Sequence, residues 1–127
     1  MAKKYRILLV EDDVVFRKYL AKLLVEDGFL ATETGTIEAA IDNLEKQKYD
    51  LMVADLKLPD DTAIGLLKKL SGKRLDLPVI IITGYGEWET YLEALDLGVS
   101  DYLNKPVDYT DLKAKIDAVL LKNQKKR

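Results

Sequence analysis

Apolar runs of strand length alternate with segments of helical spacing along the whole chain. Arg6-Ile7-Leu8-Leu9-Val10 is a continuous apolar run, the pattern of a strand buried on both faces. After Glu11-Asp12-Asp13, the residues Phe16, Leu20, Leu23 and Leu24 fall on one helical face, and Gly28 supplies a stop. Phe29 to Glu33 predicts a second, short strand. Thr36 is placed to cap a helix carrying Ile37, Ala40, Ile41 and Leu44 on its inner side. A third strand, Tyr49 to Asp55, leads through Leu58-Pro59-Asp60 to a helix capped by Thr62, with Ala63, Leu66, Leu67 and Leu70 facing inward. Pro78-Val79-Ile80-Ile81-Ile82-Thr83 is strongly β-prone, because branched side chains fit a pleated buried strand. Gly84-Tyr85-Gly86 breaks it. A fourth helix places Trp88, Tyr91, Leu92 and Leu95 on one stripe, expected to face the sheet, and stops at Gly98. Asp101-Tyr102-Leu103-Asn104 predicts a fifth strand. Asp108 then caps a last helix with Leu112, Ile116, Val119 and Leu120 inside.

Strands that alternate with helices call for an α/β fold, a parallel sheet with helices on both faces. The expected architecture is a doubly wound five-stranded parallel sheet of order 2-1-3-4-5. In that order strands 1, 3, 4 and 5 are consecutive neighbours, and ligands bind beyond their C-terminal ends at the switch point between strands 1 and 3. The strand ends carry polar residues there: Glu11 and Asp12, then Asp55, Thr83 and Lys105.

Composition narrows the chemistry. The chain has 127 residues, the size of one domain, with a core expected over about 5–121 and residues 122–127 as a basic tail or the start of a linker. It contains no Cys and no His. That removes disulfides, thiolate and imidazole metal ligands, and His-based nucleophilic catalysis. A net charge of −2 argues against a nucleic-acid-binding surface. No apolar run reaches membrane-spanning length, and Met1-Ala2-Lys3-Lys4-Tyr5 is too short and polar for a signal peptide, so a cytoplasmic location is expected.

Three carboxylates gathered in one pocket repel one another and need a cation. With oxygen ligands only, a hard divalent ion is favoured, Mg²⁺ first. Such an ion attracts a phosphoryl group, and Lys105 and Thr83 would add a fixed charge and a hydroxyl. An Asp carboxylate can itself be the nucleophile. Taken singly, each residue has a plainer reading: Asp55 as a loop acid, Asp13 as a helix cap, Thr83 as a strand end, Lys105 as a surface cation. Their joint placement is what points to a site.

Four blocks, in order and spacing, carry a resemblance to the receiver domain of bacterial response regulators, of the CheY-like superfamily. They are Ile7-Leu8-Leu9-Val10-Glu11-Asp12-Asp13, Asp55 with Leu58-Pro59-Asp60, Ile82-Thr83-Gly84-Tyr85-Gly86, and Gly98 through Lys105-Pro106. The third and fourth blocks look most like receivers of the nitrogen-regulator type. The resemblance implies a flavodoxin-like fold and a regulatory rather than enzymatic role. Asp55 would accept a phosphoryl group from a sensor histidine kinase or phosphotransfer protein. Asp12 and Asp55 would bind Mg²⁺ directly, Glu11 through water, and the Lys57 backbone carbonyl would be a further ligand. Thr83 and Lys105 would contact the phosphoryl oxygens, with Thr83 and Tyr102 as the switch pair. The helix 4–strand 5–helix 5 face would then control an output domain, a partner or homodimerisation. A cis Lys105–Pro106 bond is also implied.

The family usually has Asp-Gly or Ser-Gly where this chain has Thr62-Ala63, so the loop before the third helix is expected to differ. Tyr85, two residues past Thr83, is expected to shield the phosphoryl group from water. Two other readings stay open. An Asp-nucleophile phosphohydrolase would need its Asp-x-Asp on the first strand, where Glu11-Asp12-Asp13 stands instead. A docking or dimerisation module would not be phosphorylated at all.

Overall fold

The computed structural model describes residues 3–71, 77–84 and 88–125, with side chains left out for Ser71, residues 88–91 and Lys125. Five strands and five helices alternate: β1 (Arg6–Val10), α1 (Val14–Glu26), β2 (Leu30–Thr34), α2 (Ile37–Lys46), β3 (Leu51–Asp55), α3 (Ala63–Ser71), β4 (Val79–Thr83), α4 (Trp88–Asp96), β5 (Asp101–Asn104) and α5 (Tyr109–Lys125). All strand pairs are parallel, in the order β2-β1-β3-β4-β5. This is the architecture the alternation predicts.

The alternation of side chains along each strand divides the core in two. Leu8, Val10, Met52, Ala54, Val79 and Ile81 pack with Ile37 and Ala40 of α2, the buried face of α3, and Ala94 of α4. On the opposite face Ile7, Leu9, Leu51, Val53, Ile80 and Ile82 pack with Leu20 and Leu24 of α1 and Leu112, Ile116 and Leu120 of α5. Burial of β1, β3 and β4 on both sides explains their unbroken apolar runs.

Most helix starts lie where their caps predict. Asp13 accepts from Phe16 N–H at 3.1 Å, Thr36 from Ala39 N–H at 3.1 Å, and Thr62 from Gly65 N–H at 3.3 Å. Gly28 and Gly98 take φ of 94° and 91° at the ends of α1 and α4, the left-handed stop that glycine allows cheaply. β2 begins one residue later than expected, because Phe29 N–H still closes the helix end on Leu24 O at 3.0 Å.

The inner face of α4 is a correction. Leu92 and Leu95 are exposed, whereas Ala94 is fully buried. Successive helical residues turn by about 100°, so an inward Ala94 puts Leu95 on a flank and Leu92 nearly opposite. The side chains of Trp88 and Tyr91 lie outside the described residues. Among the described residues, no helix is long and apolar enough to cross a membrane.

The loop after β3 closes in spite of Thr62-Ala63. Leu58 N–H donates to Asp61 O at 3.1 Å and Ala63 N–H to Leu56 O at 2.8 Å, with Lys57 and Thr62 bridged. Ala63 sits buried as the first residue of α3, where no left-handed conformation is needed. At Gly65, inside α3, a Cβ would meet the Asp61 carboxylate, the free end of a half-exposed side chain that can turn aside.

Candidate functional site

The C-terminal ends of β1, β3, β4 and β5 meet beside the switch point, since β1 pairs with β2 on one side and β3 on the other. Glu11, Asp12 and Asp55 each bring one carboxylate oxygen to within 4.8 Å of the other two. Glu11 and Asp55 are buried, at 3% and 6% exposure, and Asp12 is open to solvent. Lys105, its side chain 37% exposed, hydrogen-bonds Asp55 Oδ2 through its ammonium at 2.8 Å, and the same nitrogen lies 3.4 Å from Glu11 Oε1. The Phe16 ring of α1 flanks that ammonium, 5.9 Å from its centroid. Strand ends that the sequence singled out are thus assembled into one constellation.

The electrostatics are those of a pocket built for more positive charge than Lys105 supplies. Glu11 Oε1 is buried and lacks a hydrogen bond, because the nearby ammonium is directed at Asp55. Burial pushes the Glu11 carboxyl up from 4.5 to about 7, and the Asp55 charge adds to this. The Asp13 amide, which donates to Glu11 Oε2 at 3.2 Å, and the Lys105 charge oppose the rise without cancelling it. Partial burial would lower Lys105, but the hydrogen bond and charge of Asp55, then the charge of Glu11, outweigh it and hold the ammonium above its ordinary value. An oxygen-only donor set with a buried oxygen that accepts no hydrogen bond fits a hard divalent cation.

A second layer holds the acidic turn in place. Glu11 N–H donates to Thr34 O at 3.0 Å, and Arg17 Nη1 donates to Glu11 O at 2.9 Å. Arg17 is itself held by Glu33 at 3.0 Å, and Thr34 Oγ1 is tied to Leu9 O at 2.6 Å. The Asp60 carboxylate accepts from Ile37 and Glu38 N–H, both at 3.0 Å, and so fastens the loop beyond Asp55 to the start of α2. Those two amides lower the Asp60 pKa. Sequence reasoning gave Arg17, Thr34 and Asp60 no such role, since each contact joins segments 6 to 25 residues apart.

Thr83 is buried, at 4% exposure, at the end of β4. Its hydroxyl donates to Asn104 Oδ1 at 2.8 Å, with Leu103 O more distant at 3.4 Å. Tyr102 is half-buried on β5, with the Lys115 ammonium 5.8 Å from its ring centroid and Lys115 paired to Asp101 at 3.1 Å. Lys57 is exposed at the mouth of the loop. The Lys105–Pro106 bond is cis, as expected. Tyr85 lies outside the described residues.

The family model for the response regulator receiver domain matches residues 7–117. The two-component response regulator PhoP of Pseudomonas aeruginosa is 31% identical over 115 residues, covering 91% of this chain and 51% of its own. A CheY-like response regulator receiver domain of Methanospirillum hungatei superposes with a TM-score of 0.93 at 30% identity, covering 98% of this chain and all of the other. NtrX of Brucella abortus superposes with a TM-score of 0.90 at 25% identity, covering 98% of this chain and 29% of the other. The likeness to a nitrogen regulator is therefore no stronger than that to PhoP, and the chain spans about half the length of the curated relatives it matches. The match is to a regulatory module rather than a conventional enzyme. Because that match runs from β1 into α5 and takes in every residue of the acidic pocket, this chain belongs to the receiver domain family of two-component response regulators.

Proposed function

We propose that Asp55 is a phosphoacceptor and that the domain is a phosphorylation-controlled switch. The observation that carries this reading is the buried carboxylate group with an ammonium 2.8 Å from Asp55. In transfer, an Asp55 oxygen forms the new P–O bond while the P–N bond of a donor phosphohistidine breaks, and the electron pair leaves on the imidazole nitrogen. The donor is a sensor histidine kinase or a phosphotransfer protein, because the chain has no His of its own.

Glu11, Asp12, Asp55 and the Lys57 carbonyl are the residues that would hold Mg²⁺, which when bound offsets the negative charge gathered by the phosphoryl oxygens. Lys105 follows the charge from the Asp55 carboxylate to a phosphoryl oxygen. Thr83 donates its hydroxyl to another and so leaves its place at the end of β4. Tyr102, on the neighbouring strand, takes up the change and alters the α4–β5–α5 face, a local charge event biasing a two-state element. The partner of that face is an output domain, a separate protein or a second copy of the chain. Residues 1–127 act as one receiver unit in the cytoplasm, with no direct nucleic acid binding by this domain.

Intact-mass analysis after incubation with acetyl phosphate and Mg²⁺ tests the reading. One phosphoryl adduct on the wild type and none on Asp55→Asn is the expected result. An unlabelled wild type would leave a docking module, and steady turnover of an external phosphomonoester would favour a phosphohydrolase.

A further inference from the structure

We infer that Asn104 is a positioning residue that holds the Thr83 hydroxyl in its unphosphorylated place and thereby sets how readily the domain switches. The inference rests on the reading of Thr83 as a phosphoryl contact. It starts from register. Thr83 and Asn104 are direct partners on the parallel strands β4 and β5, so both side chains leave the same face of the sheet. Both lie at the strand ends, one residue short of Gly84 and of Lys105 respectively.

A threonine hydroxyl has one proton to donate. Two acceptors lie within reach, Asn104 Oδ1 at 2.8 Å and Leu103 O at 3.4 Å, and the shorter contact takes the proton. The same proton is what a phosphoryl oxygen on Asp55 would require. Phosphoryl contact and the Asn104 contact therefore exclude each other. Thr83 is buried while Asn104 is exposed, so the released amide can turn to water at little cost, whereas Thr83 must find its new acceptor inside the site. The backbone does not share in the exchange. Lys105 N–H donates to Thr83 O at 2.8 Å, and this keeps the two strand ends paired whichever acceptor the hydroxyl takes.

A side chain without the acceptor oxygen frees the hydroxyl in advance. Loss of one net hydrogen bond from the resting state corresponds to roughly a 2- to 10-fold gain in affinity for a phosphoryl mimic. Specificity of the contact is tested by a double-mutant cycle, since Asn104 can act through Thr83 only if Thr83 is present.

The experiment titrates beryllofluoride with Mg²⁺ into the wild type, Asn104→Ala, Thr83→Ala and the double variant. Asn104→Ala is expected to bind roughly 2- to 10-fold more tightly than wild type, with no gain from the same change in the Thr83→Ala background. An unchanged or weaker affinity, or an equal gain in both backgrounds, overturns the inference. A second measurement needs no phosphoryl chemistry. In the ligand-free protein, the NMR shift and side-chain coupling of the Thr83 methyl should change in Asn104→Ala and be retained in Asn104→Asp, which keeps the acceptor. An unaltered Thr83 signal in Asn104→Ala overturns the inference alone. No beryllofluoride binding by any of the four proteins, with no acetyl phosphate adduct on the wild type, overturns the phosphoacceptor reading and the inference with it.

Discussion

Replacing Glu11 with Gln should stabilise the metal-free protein by an amount that grows as pH rises from about 4.5 to about 7. Glu11 is 3% exposed, and its Oε1 has no hydrogen bond. Its folded pKa is raised from 4.5 to about 7, chiefly by burial and then by the Asp55 charge. A carboxyl raised in this way contributes stability that is fully present below about 4.5 and lost as pH rises through about 7. The full shift corresponds to about 3 kcal/mol. Gln keeps the shape and an acceptor for the Asp13 amide, carries no charge, and leaves Lys105 its 2.8 Å bond to Asp55. Urea unfolding in EDTA at pH 8 should then place Glu11→Gln above wild type by about 1–3 kcal/mol. At pH 4, below the unfolded value of 4.5, the two proteins should differ by a few tenths at most, about the scale of a neutral exchange. Added Mg²⁺ should stabilise the wild type at pH 8 more than the variant, because a ligand that binds only the folded state shifts the equilibrium by its affinity. A difference independent of pH, or a wild type more stable than the variant at pH 8 in EDTA, would refute the view of Glu11 as a buried acid that awaits a cation.

Other expectations follow from the same geometry. Lys105→Met removes the ammonium at 2.8 Å from Asp55, and should weaken beryllofluoride binding at least tenfold, about the scale of a lost charged hydrogen bond, as read by calorimetric titration. Asp60→Ala frees the first amides of α2, so hydrogen exchange at Ile37 and Glu38 should speed up while exchange in β1 and β3 stays slow. Gly65→Ala gains about 1 kcal/mol of helix propensity in α3 but displaces the half-exposed Asp61 carboxylate, so Asp61→Ala/Gly65→Ala should exceed Asp61→Ala in urea unfolding by about 1 kcal/mol, and Gly65→Ala alone should gain less.

The sequence carried much of this structure because local patterns and local caps agree. Continuous apolar runs located β1, β3 and β4, and Asp13, Thr36 and Thr62 opened their helices where their side chains can reach the next turn. Once the strand order was supplied, Glu11, Asp12, Asp55 and Lys105 had to converge. What escaped depended on distances that no local pattern encodes. Leu92 and Leu95 have the spacing of a buried stripe, but the small Ala94 lets α4 approach with a different side inward. Asp60 reaches an α2 terminus 23 residues away, and Arg17 bonds the Glu11 carbonyl while paired with Glu33 on β2. The Thr83–Asn104 contact requires the register of β4 against β5, which follows from neither strand alone.

Chemical trapping of the acyl phosphate asks directly whether Asp55 itself takes the phosphoryl group. Borohydride reduction after acetyl phosphate treatment converts an acyl phosphate to the corresponding alcohol and so marks the acceptor permanently. Trypsin releases the segment from Tyr49 to Lys57, which holds both Asp50 and Asp55, and fragment ions separate the two. Homoserine at Asp55, formed only when Mg²⁺ is present, is the predicted result. Homoserine at Asp12 or Asp50, or an unmodified Asp55 in a protein that nonetheless carries the label, would contradict it.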